Sequence, residues 1–86
     1  MMIYLTNYSN GANRERRIMH KLEKDNWVCF RMAGSHTPID IIAMRYKLGC
    51  KEYMYIQSKK THYLNPKERE EKKELEDILK IEIVVM

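Results

Sequence analysis

Apolar positions change their period several times along this chain, and each change marks an element. Between Ala12 and Asp25, Ile18, Met19 and Leu22 recur at helical spacing and form one apolar stripe. One turn back from Ile18 and Met19 lies Glu15, on the inward side of the same helix. Arg14, Arg16, Arg17 and Lys21 fall mostly off the stripe. The stretch WVCFRM (27–32) reads as a strand with apolar groups on both faces, which suits a sheet covered on both sides. AGSHTP (33–38) is a turn, and IDIIAMR (39–45) is a second strand rich in Ile. YKLGC (46–50) contains Gly49 and has the length of a hairpin connection. EYMYIQS (52–58) follows as a third strand, and KKTHYL as a loop.

NPKE then starts a second helix. Asn65 is its cap, Pro66 takes the first position, and Glu68 comes three residues after the cap. This helix is expected to reach about Lys80, with Leu75, Ile78 and Leu79 inward and Glu68–Lys72 and Glu76–Lys80 as i,i+4 pairs. IEIVVM closes the chain as a strand. Residues 1–8 fit a short edge strand or a loose arm, and SNGAN a turn or helix start. The result is one α/β domain over 1–86 with a mixed central sheet and the order α-β-β-β-α-β.

Composition narrows the class. A chain of 86 residues with 44% hydrophobic and 33% charged content is an ordinary globular domain, small enough to make a homodimer plausible. Its apolar runs are too short to span a membrane, and it opens without a signal-peptide pattern. Cys29 and Cys50 lack metal-knuckle spacing, so free thiols in a reducing cytoplasm are expected. Charge is uneven: 11 Lys and Arg against 5 Asp and Glu in 1–65, and 5 against 7 in 66–86. A basic body points toward a polyanionic partner.

The candidate chemistry sits at one end of the hairpin. Around a turn near residue 49, position 40 falls opposite roughly 57 to 59, and Gln57 and Lys59 share a strand face. Asp40, Gln57 and Lys59 therefore meet, and Glu15 can point at the same spot if the first helix packs there. Carboxylate and amide oxygens suit a hard cation such as Mg²⁺ or Mn²⁺. Such an ion polarises a phosphoryl oxygen and activates water, while a nearby ammonium orients that water or stabilises developing charge. Both roles belong to phosphodiester hydrolysis. Each residue also has a plainer use. Asp40 suits a strand-end cap or a pair with Lys59, Glu15 a salt bridge with Arg31 or a neighbour, and Gln57 a solvated strand end. His36 reads as a loop bystander, and His20 and His62 as solvent-facing.

P-I-D at 38–40 followed by Q-S-K at 57–59 resembles the PD-(D/E)-x-K motif of restriction-endonuclease-like nucleases. G-A-N-R-E-R-R at 11–17, R-M-A-G-S at 31–35 and P-I-D-I-I-A at 38–43 look like the archaeal Holliday junction resolvases. That resemblance covers residues 11–60 directly and implies a restriction-endonuclease-like fold. It implies that Asp40 is the central metal ligand, that Glu15 helps hold the metal or its water, and that Lys59 is the catalytic lysine. Gln57 takes the position of the motif's acid, and Ile39 separates Pro38 from Asp40. A neutral amide there implies weaker metal affinity or a different metal. Arg16, Arg31 and Ser35 would contact DNA phosphates, with Arg14, Arg17 and Lys60 in the basic part of the chain that grips them. Proteins of that family act as dimers, each subunit nicking one strand of branched DNA. Three alternatives stand beside this one: a nuclease on other DNA structures, a DNA-binding module that has lost catalysis through Gln57, and a small interaction protein with an accidental motif.

Overall fold

The structure, a computed structural model, describes residues 10–32 and 36–86. The expectations placed on residues 1–8 and on Ser35 lie outside the described residues. Element order is α1 (Asn10–Glu23), β1 (Val28–Arg31), β2 (Ile41–Lys47), β3 (Cys50–Gln57), α2 (Pro66–Leu79) and β4 (Ile83–Val85). The four strands form one mixed sheet in the order β1-β2-β3-β4. β1, β2 and β3 pair antiparallel, and β4 lies parallel to β3. A parallel pair needs a crossover, and α2 with its flanking loops supplies it.

α1 begins and ends two residues earlier than its apolar period suggests. Asn26 takes a left-handed conformation at φ 68°, which an Asn tolerates. The amides of Asp25 and Trp27 then both bond the carbonyl of Leu22 and close the helix. The hairpin also differs from the expected five-residue connection. Lys47 pairs with Cys50, so only Leu48 and Gly49 make the turn, at φ 53° and 82°. Positive φ at both central residues is the geometry that matches strand twist in a two-residue hairpin. It carries β2 on through Tyr46 and Lys47 and starts β3 at Cys50.

The core lies between α1 and one face of the sheet. Ile18, Met19 and Leu22 of α1 pack with Trp27, Cys29, Ile41, Ala43 and Ile56. Register explains the set: Cys29 opposes Ala43 and Ile41 opposes Ile56, so these side chains share a face. Burial raises the Cys29 thiol to about 11, with the negative charge of Glu23 adding to the effect. It is an inert core group. Cys50 is a free, exposed thiol.

The opposite face corrects the expectation of a sheet covered on both sides. Val28, Phe30 and Tyr53 stand about half exposed there and, with Met44, line a shallow, mostly apolar groove. α2 corrects a second expectation. It buries no residue, and Ile78 is 68% exposed. The helix is attached by polar contacts instead. Its capping box is complete, with Glu68 N donating to Asn65 Oδ1 and Asn65 N to Glu68 Oε1. Glu76 Oε2 accepts from the amide of Ile83 at 2.7 Å and from Lys72 at 3.1 Å. Glu76 therefore pairs backward with Lys72 rather than forward with Lys80, which forms the left-handed C-cap at φ 55°. Among the described residues no helix is long and apolar enough to cross a membrane.

Candidate active site

The β2–β3 ladder ends at Ile41 opposite Ile56, and the next residues bring Asp40 against Gln57 and Ser58. Asp40 N donates to the Ile56 carbonyl, and its Oδ2 accepts from Ser58 N, both at 2.8 Å. On its other side the Asp40 carbonyl accepts from Met32 N at 2.8 Å. The carboxylate thus projects from backbone pinned on both sides.

Its environment is unusual for an acid. Burial pushes the Asp40 carboxyl above its ordinary range, the Ser58 amide opposes that, and Glu15 adds a further push upward. Lys59 and Arg14 act in the lowering direction. Glu15 and Lys59, both expected beside Asp40, are close enough to act on its charge, and so is Arg14, which the sequence suggests only for the phosphate-gripping part of the chain.

Gln57 is not a solvated strand end. It is 8% exposed, and its Oε1 has no hydrogen-bond donor among the described residues. Ser58 Oγ is buried without a partner as well. Buried unpaired acceptors are rare in folded proteins and costly. An amide oxygen in that condition beside a carboxylate fits a hard divalent cation. Glu15 is the third oxygen donor the sequence suggests. No group of three or more His, Cys, Asp or Glu side chains gathers among the described residues, so the donor set depends on the amide.

Two members are held by ion pairs. Arg31 Nε donates to Glu15 Oε1 at 2.6 Å, joining β1 to α1 with both side chains mostly shielded. Arg31 is therefore tied to Glu15, as the plainer reading of Glu15 has it. Lys59 Nζ donates to Glu68 Oε2 at 2.7 Å, so its partner is not Asp40. Glu68 is the site residue that sequence reasoning missed. It shows in the sequence only as the third residue of a capped helix. Its second oxygen reaches Lys59 because the loop after β3 folds α2 back to the sheet end. The Lys59 contact is the main cause that lowers the Glu68 carboxyl below its ordinary range, with the Asn65 amide next.

The remaining expected residues separate. Arg16 donates to Asn13 on its own helix. Arg14, Arg17 and Lys60 line a cleft between α1 and the segment after β3. His36 is exposed, as are His20 and His62. Compared with known families, curated proteins and solved structures, the chain matches none.

Proposed function

We propose that this protein is a metal-dependent endonuclease that hydrolyses phosphodiester bonds of branched DNA, with Asp40 at its centre. The observation that carries the reading is the buried Oε1 of Gln57, without a donor among the described residues, next in the chain to Ser58, whose amide holds the Asp40 carboxylate. The order α-β-β-β-α-β, with β2 antiparallel to its neighbours and β4 parallel to β3, supports assigning the restriction-endonuclease-like fold. By the same proposal the protein works in the cytoplasm.

Asp40, Gln57 and Glu15 would hold Mg²⁺ or Mn²⁺. The bound ion supplies Lewis acidity at a phosphoryl oxygen and a more acidic water. Asp40 brings negative charge, and a bound cation would offset the burial that raises its carboxyl. Lys59 presents an ammonium to the developing negative charge. Glu68 keeps that ammonium in place through Oε2, while the helix cap fixes the other oxygen of the same carboxylate. Two sites are needed for paired nicks, and the half-open apolar face with Phe30 offers a second copy a surface of suitable chemistry.

One observation favours a second reading. Gln57 brings no charge, and Glu15 and Lys59 are each engaged by an opposite charge. These features suit a nuclease scaffold that binds DNA without cutting it. A nicking assay on an end-labelled four-way junction, beside matched duplex, separates the readings. Paired nicks with Mg²⁺ or Mn²⁺ that fall by at least about 10²-fold in Asp40→Ala are expected if this ion site does the chemistry. Tight binding with no cutting in either metal, and cutting gained in Gln57→Glu, would establish the binding module instead.

A further inference from the structure

A cleft of about 480 Å³ opens between α1 and the segment that follows β3. Arg14, Arg17 and Lys21 form one wall, and Lys59, Lys60 and His62 the other. Ile18, Val85 and Met86 complete the lining, so no acidic side chain is among its described lining residues. The absence stands out in a chain with 12 Asp and Glu against 16 Lys and Arg. A neighbouring groove along α2 shows the ordinary mixture, with Glu76 and Asp77 beside Arg69, Lys72 and Lys73. Lys59 is ion-paired to Glu68, but Arg14, Arg17, Lys21 and Lys60 still repel one another across the concavity, and a polyanion relieves that repulsion.

The spacing says which polyanion. Arg14, Arg17 and Lys21 follow at three and four residues, so they lie on one side of α1. Seven residues of helix rise about 10 Å. One strand of a B-form duplex places about three phosphates along that length of axis. The one ring among its described lining residues is the imidazole of exposed His62, so bases find no Phe, Tyr or Trp platform there. Contacts of this kind reach phosphate and sugar and carry no base information. Arg14 and Lys59 also act on the charge of Asp40, so the cleft begins beside the candidate active site and runs along α1 to Lys21.

We propose that this cleft binds a single phosphodiester strand by its backbone, independently of sequence. Its role in delivering that strand to Asp40 rests on the hydrolase reading, and the binding itself does not. Lys21 and His62 thereby join the residues that contact nucleic acid.

The test is fluorescence anisotropy with a labelled mixed-sequence single strand, in EDTA, over a salt series. EDTA removes any contribution from hydrolysis. Arg17→Glu with Lys21→Glu reverses two charges in the cleft. Lys47→Glu with Lys51→Glu reverses two at the far end of the hairpin and gives the same net charge. The cleft variant is expected to bind about tenfold more weakly or worse at ~0.1 M salt, with a log–log salt slope shallower by about 1.4, two contacts at ~0.7 each. The hairpin variant should keep the wild-type slope. Thermal melts establish that each variant is folded, and Arg17→Gln with Lys21→Gln gives the same slope change if charge reversal harms the helix. Equal losses in the two variants would reduce the effect to net charge and overturn the proposal. An unchanged slope in the cleft variant, or strong preference for one base composition, would overturn it too. A junction that is never nicked, with the slope result intact, would remove the hydrolase reading and leave the cleft standing.

Discussion

The two faces of the sheet are made from similar residues and end in different states. On the α1 face, Met19, Ile41, Ala43 and Ile56 are wholly buried and pack as one cluster. On the other face, Val28, Phe30 and Tyr53 remain about half exposed. α1 offers a contiguous stripe, Ile18, Met19 and Leu22, that meets the face presented by Cys29, Ala43 and Ile41. α2 has Leu75, Ile78 and Leu79 but buries none of them. It is anchored instead by Asn65, Glu68 and Glu76. The comparison teaches that an apolar period earns burial only where a complementary face lies within reach. It also separates tasks. One face carries the core of the fold and the other stays half open, with the polar site at the sheet's end between them.

The largest expected effect breaks the core side. Met19→Ala should destabilise the fold by about 2–5 kcal/mol, as wholly buried apolar truncations do. Ile78→Ala, at an exposed position of α2, should stay within about 0.5 kcal/mol. Denaturant melts of the two variants measure the contrast, and similar losses would show that α2 is packed in solution.

A second change probes the open face. Phe30→Glu places a charge at a position that is 47% exposed. Fold stability should change by at most about 1 kcal/mol, the span of strand propensities. If a second copy covers this face, sedimentation should show dimers in the wild type and monomers in the variant. Dimers that survive Phe30→Glu would put the interface elsewhere.

The smallest effect sharpens the site between the faces. The Asp40 carboxyl is raised from its ordinary 3.8 by burial first, so the folded state holds its proton to higher pH than the unfolded state. Its contribution to stability is full below the ordinary value and is lost as pH rises through the raised one. At neutral pH the charged group therefore works against the fold. Asp40→Asn keeps an acceptor for the Ser58 amide and removes the charge. Its Tm should exceed that of the wild type at neutral pH, and the advantage should vanish in acid. A lower Tm at neutral pH would show that the carboxylate is stabilised by its neighbours rather than penalised by burial.

Much of this architecture was legible in local chemistry. Asn65, Pro66 and Glu68 specify a helix start through bonds that close within four residues. The stripe of α1 specifies a buried side because its three apolar residues lie on one side of the helix. Counting back from Gly49 placed Asp40 against Gln57, since a tight hairpin leaves little freedom in register. The two-residue turn was harder to see. Leu48 adopts positive φ without the Asn-Gly or Asp-Gly pair that usually signals it.

The sequence by itself therefore determined the order of elements, the packed side of α1, the helix cap, and the meeting of Asp40 with the end of β3. Each depends on neighbours in the chain or on a short, stiff connection. Only the tertiary structure decided which charges pair: Glu15 with Arg31, Lys59 with Glu68, and Glu76 with the amide of Ile83. Only it left Ile78 and Leu79 in solvent, buried Gln57 with no donor to its Oε1 among the described residues, and set Arg17 and Lys21 across a cleft from Lys60 and His62. The physical reason is distance along the chain. Hydrogen bonds and periodicity act over a few residues and can be read in order. Burial and ion pairing depend on which surfaces arrive at the same place, and the path of the loop after β3 sets that.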